Sequence, residues 1–270
     1  MPKPFKVHLR HWRRIARRTS RRVLPKARAA INWSAEPLAV VAITLVSTTA
    51  LAQPFYVPTG SMEPTIAIGD ALVASKFPYG YSSYSLPFNL MPPSKGRLFG
   101  SLPARGDIVV FRLPREPGVN FVKRVIGLPG DRIQMKDGRL WINGRELPLR
   151  ANGTGQVEDQ SGNMASVPRY IETLPGGREH PIYKWTWAGE FDNTGIYVVP
   201  SGNLFMMGDN RDDSLDSRVS AQNGGVGFVP MSNLVGRAEF VLGSYDFLNA
   251  EPVAGWISAL RLSRFFRGLD

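Results

Sequence analysis

Three segments of the 270-residue chain hold side chains whose types and spacing could do chemistry. The first is Pro58-Thr59-Gly60-Ser61-Met62-Glu63-Pro64-Thr65, where Ser61 follows a glycine in a tight turn that lets another backbone approach closely. A Thr-Gly-Ser turn is commonly just a turn, so the serine acquires meaning only if a base can reach its hydroxyl. Imidazole is a poor candidate for that base. There are three histidines, and two of them, His8 and His11, sit in a basic N-terminal block, which leaves His180 alone. Cysteine is absent, which excludes disulfides, zinc-thiolate and iron–sulfur sites and a thiol nucleophile, and a His-rich metal site is excluded with them.

The second segment is Phe121-Val122-Lys123-Arg124-Val125-Ile126. Strand alternation puts Lys123 on the same face as Phe121 and Val125. An ammonium on an apolar face loses solvation, which lowers its pKa. Neutrality near pH 7 needs a fall of ~3.4 units, roughly 4 to 5 kcal/mol, within the range of buried lysines. The competing reading is a lysine whose head reaches water past its own apolar stem. The third segment, Gly208 to Arg218, has one apolar residue, Leu215, among eleven. Arg211 interrupts its acidic spacing and no glycine stands sixth from Asp209, so it is not a calcium loop of the EF-hand kind. It reads as a solvated loop, or as one that orients a neighbouring amine.

The elements that must position these residues follow from periodicity. Short β-branched runs punctuated by glycine and proline predict strands over 107–112, 121–126, 132–136, 139–143, 195–199, 203–207 and 236–242. Asp137-Gly138 joins two of them as a two-residue hairpin turn, and Asn143-Gly144 repeats the chemistry after the next. The expected fold is mainly β, an antiparallel meander. Residues 77–105 read as a long surface excursion, and 150–194 as a lid, an inserted subdomain or a substrate-side loop. Residues 253–269 set Trp256, Ile257, Leu260 and Phe265 among arginines, the pattern of a helix lying on a membrane or docked on the protein's own core.

Charge adds the topology. Lys+Arg number 33 against 22 Asp+Glu, a net charge of +11, and eleven of the basic residues precede Glu36, the first acid. The rest of the chain is balanced, so the excess is a terminal block rather than a folded basic face, and nucleic acid is not the expected partner. An apolar run from Pro37 to Ala52, extending to about Val57, is at ~1.5 Å per residue long enough to cross a bilayer core. Trp33, Phe55 and Tyr56 suit interface anchors, and the basic block before the run retains the N-terminus in the cytoplasm. A cleavable export signal ending at Ala50-Leu51-Ala52, a site the protein could also cut in itself, and a buried core helix compete with this retained anchor.

Taken together and in order, these pieces resemble bacterial type I signal peptidase. The resemblance rests on the Ser61 segment, Gly69-Asp70, Gly106-Asp107-Ile108-Val109-Val110-Phe111, Lys123 to Asp131, and Gly208-Asp209-Asn210-Arg211-Asp212 with Ser214, Asp216, Ser217 and Arg218. It covers about residues 33–247. It implies an antiparallel β catalytic domain with a smaller inserted β/loop subdomain and one N-terminal transmembrane helix, laid out as a basic tail (1–32), anchor (33–56), core (57–135 and 195–250), insertion (136–194) and amphipathic C-terminal helix (251–270). It further implies a Ser61 nucleophile, a Lys123 general base, and an oxyanion hole of the Ser61 N–H and the Thr59 hydroxyl. Ser214 would orient the amine, with Asp209, Arg211, Asp216 and Arg218 as structural support. Phe55, Val57, Met62, Ile66, Phe121 and Val122 would bind substrate. The implied partners are preproteins bearing signal peptides and the lipid bilayer, with the secretion translocon as a further one. No cofactor is implied. The implied location is the bacterial cytoplasmic membrane, with the catalytic domain on the outer face. Two other readings are a Ser-Lys peptidase dedicated to one substrate, of conjugation, pilus or autoprotease type, and a β binding module without catalysis.

Overall fold

The structure is a computed structural model that describes residues 36–41, 43–44, 51–85, 96–158, 164–246 and 258–269. The chain from Thr49 onward forms one compact unit. Its strands are β1 (Ala52–Tyr56), β2 (Asp70–Ser75), β3 (Ile108–Leu113), β4 (Glu116–Gly127), β5 (Arg132–Lys136), β6 (Arg139–Ile142), β7 (Arg145–Glu146), β8 (Leu149–Glu158), β9 (Met164–Thr173), β10 (Glu179–Tyr183), β11 (Tyr197–Val198), β12 (Asn203–Met207), β13 (Val229–Pro230) and β14 (Leu234–Ser244). They build a seven-stranded sheet in the order β1-β2-β14-β3-β4-β12-β13, a three-stranded sheet β10-β9-β8 and a four-stranded sheet β11-β5-β6-β7. Neighbouring strands pair antiparallel throughout, in keeping with the expected meander. Asp137 and Gly138 both adopt positive φ, 48° and 73°, the geometry that matches the twist of the β5–β6 hairpin. That hairpin runs across residue 136, where the insertion was expected to begin.

β12 explains why Asn-Leu-Phe-Met-Met is apolar without alternation. Leu204 and Met206 enter one core with Val109, Phe111, Val125 and Leu234, while Phe205 and Met207 enter another with Ile126, Ile133, Met135 and Leu140. Both faces of the strand are covered, so neither can be polar. A third core gathers Val57, Met62, Ile66, Leu72, Ile108 and Val241 beneath the Ser61 turn.

Two expectations are altered by the structure, one falls largely outside the described residues, and one is given a definite form. The basic tail and most of the anchor lie outside the described residues; residues 36–41 and 43–44 are helical, and among the described residues no helix is long and apolar enough to cross a membrane. The apolar run does not continue as a helix to Val57, because Ala52–Tyr56 is strand β1, paired from Ala52↔Ser75 to Tyr56↔Ala71. Pro54 is compatible with that strand because β1 lies at the sheet edge. Residues 150–194 are chiefly the β8–β10 sheet. In the C-terminal region, residues 258–269 are not an amphipathic helix: beyond a short 3-10 turn at Leu262–Arg264, the chain bonds to β14 through Phe266 N–H to Val241 O and Leu269 N–H to Glu239 O. Two of the arginines that a helix would turn to solvent point inward: Arg261 donates through Nε to Ser244 Oγ at 2.9 Å, and Arg264 grips Asp70 through Nε at 2.9 Å and Nη2 at 2.6 Å.

Candidate active site

Ser61 is delivered by a tight turn between β1 and β2. The N–H groups of Thr65 and Ile66 both donate to the Met62 carbonyl, each at 3.0 Å. This closes one helical turn, so Met62 and Ile66 face the same way, into the core, and leave Ser61 at the surface. Both are fully buried, so they floor the site from below and line no part of the cleft, contrary to the expectation that they meet substrate.

Lys123 reaches the serine from the middle of β4. Its Nζ stands 2.5 Å from Ser61 Oγ and 3.1 Å from the Val122 carbonyl, and lies 5.4 Å from the centroid of the Phe121 ring. Alternation thus brings Lys123 and Phe121 to one side, as the sequence requires. The lysine is 3% exposed. Burial pushes its ammonium down to about 8, although the carboxylates of Asp216 and Asp209 pull the other way. This falls short of neutrality at pH 7: about a tenth of the amine is free there, rising to half near pH 8.

Ser61 and Lys123 open into a cavity of about 570 Å³. Its walls include Phe55 from β1, Val57 just beyond that strand, and Phe121 and Val122 from β4, with Thr59 at the rim. The sequence did not single out Leu72, Val110 or Val119, which also line it; as apolar strand residues they carry no signal that separates a cleft wall from a core.

The loop from Gly208 to Arg218 braces the pair from behind. Arg218 bonds Asp216 through Nε at 2.9 Å and Nη2 at 2.8 Å, and Gly208 N–H also reaches Asp216. Asp209 is held by Arg124, Nε at 2.8 Å and Nη2 at 2.7 Å, and accepts the Thr65 hydroxyl. Burial raises the Asp209 carboxyl, and the Arg124 guanidinium more than offsets it, leaving the group below the usual carboxylate range. Arg211 pairs with Glu172 of β9. All these side chains are buried.

Arg124, Glu172 and Thr65 were not recognised from sequence, since their partners lie 85, 39 and 144 residues away. His180 sits among them, 2% exposed and 3.6 Å from Glu172, with burial pushing it down to about 4. It lines no part of the Ser61 cavity. Ser214, expected to orient the amine, has a buried hydroxyl without a hydrogen-bond partner among the described residues, and it packs against Gly208, where an added Cβ would come within 2.1 Å of it. That same Cβ would meet the Ser61 carbonyl at 2.4 Å, which accounts for glycine at 208.

A profile of the family described as "Signal peptidase, peptidase S26" matches residues 30–243. Signal peptidase I of Rickettsia typhi is 40% identical over 250 residues, covering 85% of this chain and 90% of the relative. The Rickettsia akari protein of the same name is 39% identical over the same extent. A crystal structure of a signal peptidase I from Enterococcus faecalis shares 27% identity, covering 50% of this chain and 95% of that one, with a TM-score of 0.28. Similarity to the Rickettsia proteins runs through most of both sequences, well past the short motifs, and the chain belongs to the signal peptidase family, peptidase S26.

Proposed function

We propose that the protein is a membrane-bound serine endopeptidase that removes N-terminal signal peptides from exported preproteins, with Ser61 as nucleophile and Lys123 as general base. The observation that carries the residue assignment is the 2.5 Å approach of a buried, pKa-depressed Lys123 amine to Ser61 Oγ at the mouth of an apolar cleft. The free amine takes the hydroxyl proton as Oγ attacks the scissile carbonyl. The oxyanion is received by the Ser61 N–H and the exposed Thr59 hydroxyl. Lys123 then passes the proton to the leaving amine, freeing the mature protein, and activates the water that hydrolyses the acyl-enzyme.

The cleft supports a rule for the substrate. β1 is an edge strand, so its outer side can add an extended peptide, and alternate residues of that peptide would face Phe55, Val57, Phe121 and Val122. Bulky walls on both sides leave room for small side chains, in keeping with cleavage after Ala-x-Ala. The apolar run before β1 serves as the anchor, with the basic residues before it on the cytoplasmic side. The run gives way to β1 at Ala52 and Ser61 follows nine residues later, so chemistry takes place close to the outer leaflet.

The test is cleavage of a detergent-solubilised preprotein carrying an Ala-x-Ala site by the wild type, Ser61→Ala and Lys123→Ala, with product termini read by mass spectrometry. Cutting after the second alanine by the wild type alone is the expected result. Strong cutting by Lys123→Ala would overturn the assignment of the base.

A further inference from the structure

A second hollow, of about 840 Å³, adjoins the cavity of the reacting pair. Its walls include Glu190, Phe191, Arg218, Gln222 and Phe228, and the two hollows share Leu215. Leu215 is the one apolar residue in the eleven from Gly208 to Arg218, and it is 42% exposed. An apolar side chain on the ridge between two hollows touches whatever lies across both. The volume is in the range of roughly 300–1,000 Å³ that takes peptide-sized or drug-sized ligands.

We propose that this hollow holds the first residues after the scissile bond, making it the subsite for the mature end of the substrate, and that Glu190 selects a basic residue there. The inference rests on the peptidase reading above. Its direction comes from proton transfer. The amine that receives the proton must lie beside Lys123 Nζ, so the departing chain leaves past Lys123; Asp213, which acts electrostatically on that amine, and Leu215 line the same cavity. Leu215 then leads into the second hollow.

Its charge comes from what is already neutralised. Arg218 is paired with Asp216 and stacked over Phe191, 5.8 Å from guanidinium carbon to ring centroid. Glu190 is exposed and has no ion pair among the described residues, and Asp213 on the approach is likewise exposed and unpaired among them. Two carboxylates flanking Leu215 favour a cationic segment over an anionic one.

The experiment uses the full-length enzyme in detergent and peptides identical through the scissile bond. After it they carry Lys at the second to fourth positions, Glu at the same positions, or a single residue ending in an amide. Wild type is expected to prefer the Lys peptide over the Glu peptide by about two- to fivefold in kcat/KM, the size of one exposed charge interaction, through KM and less so at high salt. Glu190→Lys should invert that order. Gln222→Trp, which fills the hollow without changing charge, should lower the ratio of long-peptide to truncated-peptide kcat/KM about fivefold. Equal scaling of all peptides by both variants, or no dependence on the residues after the bond, overturns the subsite and leaves the peptidase reading standing. Failure of wild type to cut any of the peptides overturns both.

Discussion

The indole N–H of Trp185 donates to Asn210 Oδ1 at 3.2 Å, and Asn210 in turn holds the nucleophile turn at two points. Its backbone N–H reaches the Ser61 carbonyl at 3.2 Å and its side-chain amide the Gly60 carbonyl at 3.3 Å. A residue just beyond β10 is thereby connected to Ser61 through one intermediary. Loss of a single such bond is worth about 1 kcal/mol, roughly fivefold in rate if it is felt at the reacting atom. Trp185→Phe keeps the ring and removes the donor, so kcat should fall severalfold with KM little changed, and Asn210→Ala should fall further. In the Asn210→Ala background, Trp185→Phe should add nothing. Additive losses in that double-mutant cycle would show that Trp185 acts by another route.

The Lys123 amine, pushed down to about 8 by burial, sets the pH dependence. The free amine is the base, so kcat/KM should rise about tenfold per pH unit below 8 and level off above it. Glu63 titrates nearby: burial pushes its carboxyl up to about 7, and its Oε2 would lie 3.2 Å from a Cβ placed on Gly60. Glu63→Gln separates the two groups. A midpoint that stays near 8 in that variant assigns it to Lys123, and a midpoint that disappears assigns it to Glu63.

Ser61 and Lys123 were legible because each stands in a short segment whose neighbours constrain it: glycine beside the serine, alternating apolar residues beside the lysine. Arg124 was not, because alternation sends it away from Lys123 toward Asp209, and charge complementarity across 85 residues leaves no local trace. Met62 and Ile66 were apolar residues next to a nucleophile, and only the turn closed on the Met62 carbonyl shows that they face inward. The β8–β10 sheet was hidden by Pro168, which occupies the central strand β9 where a missing N–H argues against strand. It is tolerated because the pairing shifts register between Ala151 and Thr154, next to its partner. The C-terminal region misled because arginines on a periodic pattern imply a polar face, whereas here Asp70 is buried and draws Arg264 onto it.

Burial of Lys123 also implies that the catalytic amine costs stability. Above the ordinary lysine value neither the folded nor the unfolded chain binds the proton. As pH falls below it, the unfolded chain protonates and the folded one does not, so the folded state loses about 1.4 kcal/mol per pH unit down to about 8, and the deficit is constant below that. Lys123→Met, of similar volume and without charge, should therefore be inactive yet more stable than wild type at pH 7 by up to about 3 kcal/mol. The gain should shrink to under about 1 kcal/mol at pH 10. Urea unfolding at the two pH values measures both, and an equal midpoint at pH 7 would mean that the ammonium is solvated in the native state.

The Arg124–Asp209 pair, 1% exposed on each side, gives the opposite sign. Arg124→Met leaves a buried carboxylate with the Thr65 hydroxyl as its remaining side-chain donor, and breaking one partner of such a pair costs about 3–5 kcal/mol. Replacing both, as Arg124→Met with Asp209→Leu, removes the stranded charge and should recover much of that loss. The pH response of the wild type follows from the depressed Asp209 carboxyl: its contribution is present above the ordinary carboxylate value and is lost as pH falls through the lower folded one. Arg124→Met should lose that acid-side dependence, because its carboxylate is already destabilised at neutral pH. Since Asp209 N–H precedes the Asn210 contacts to the Ser61 turn by one residue, the double variant, though folded, should show reduced kcat. Thermal unfolding and peptide cleavage on the same samples read both effects, and a double variant as unstable as Arg124→Met alone would show that the pair holds the loop by directional bonds and not by charge balance.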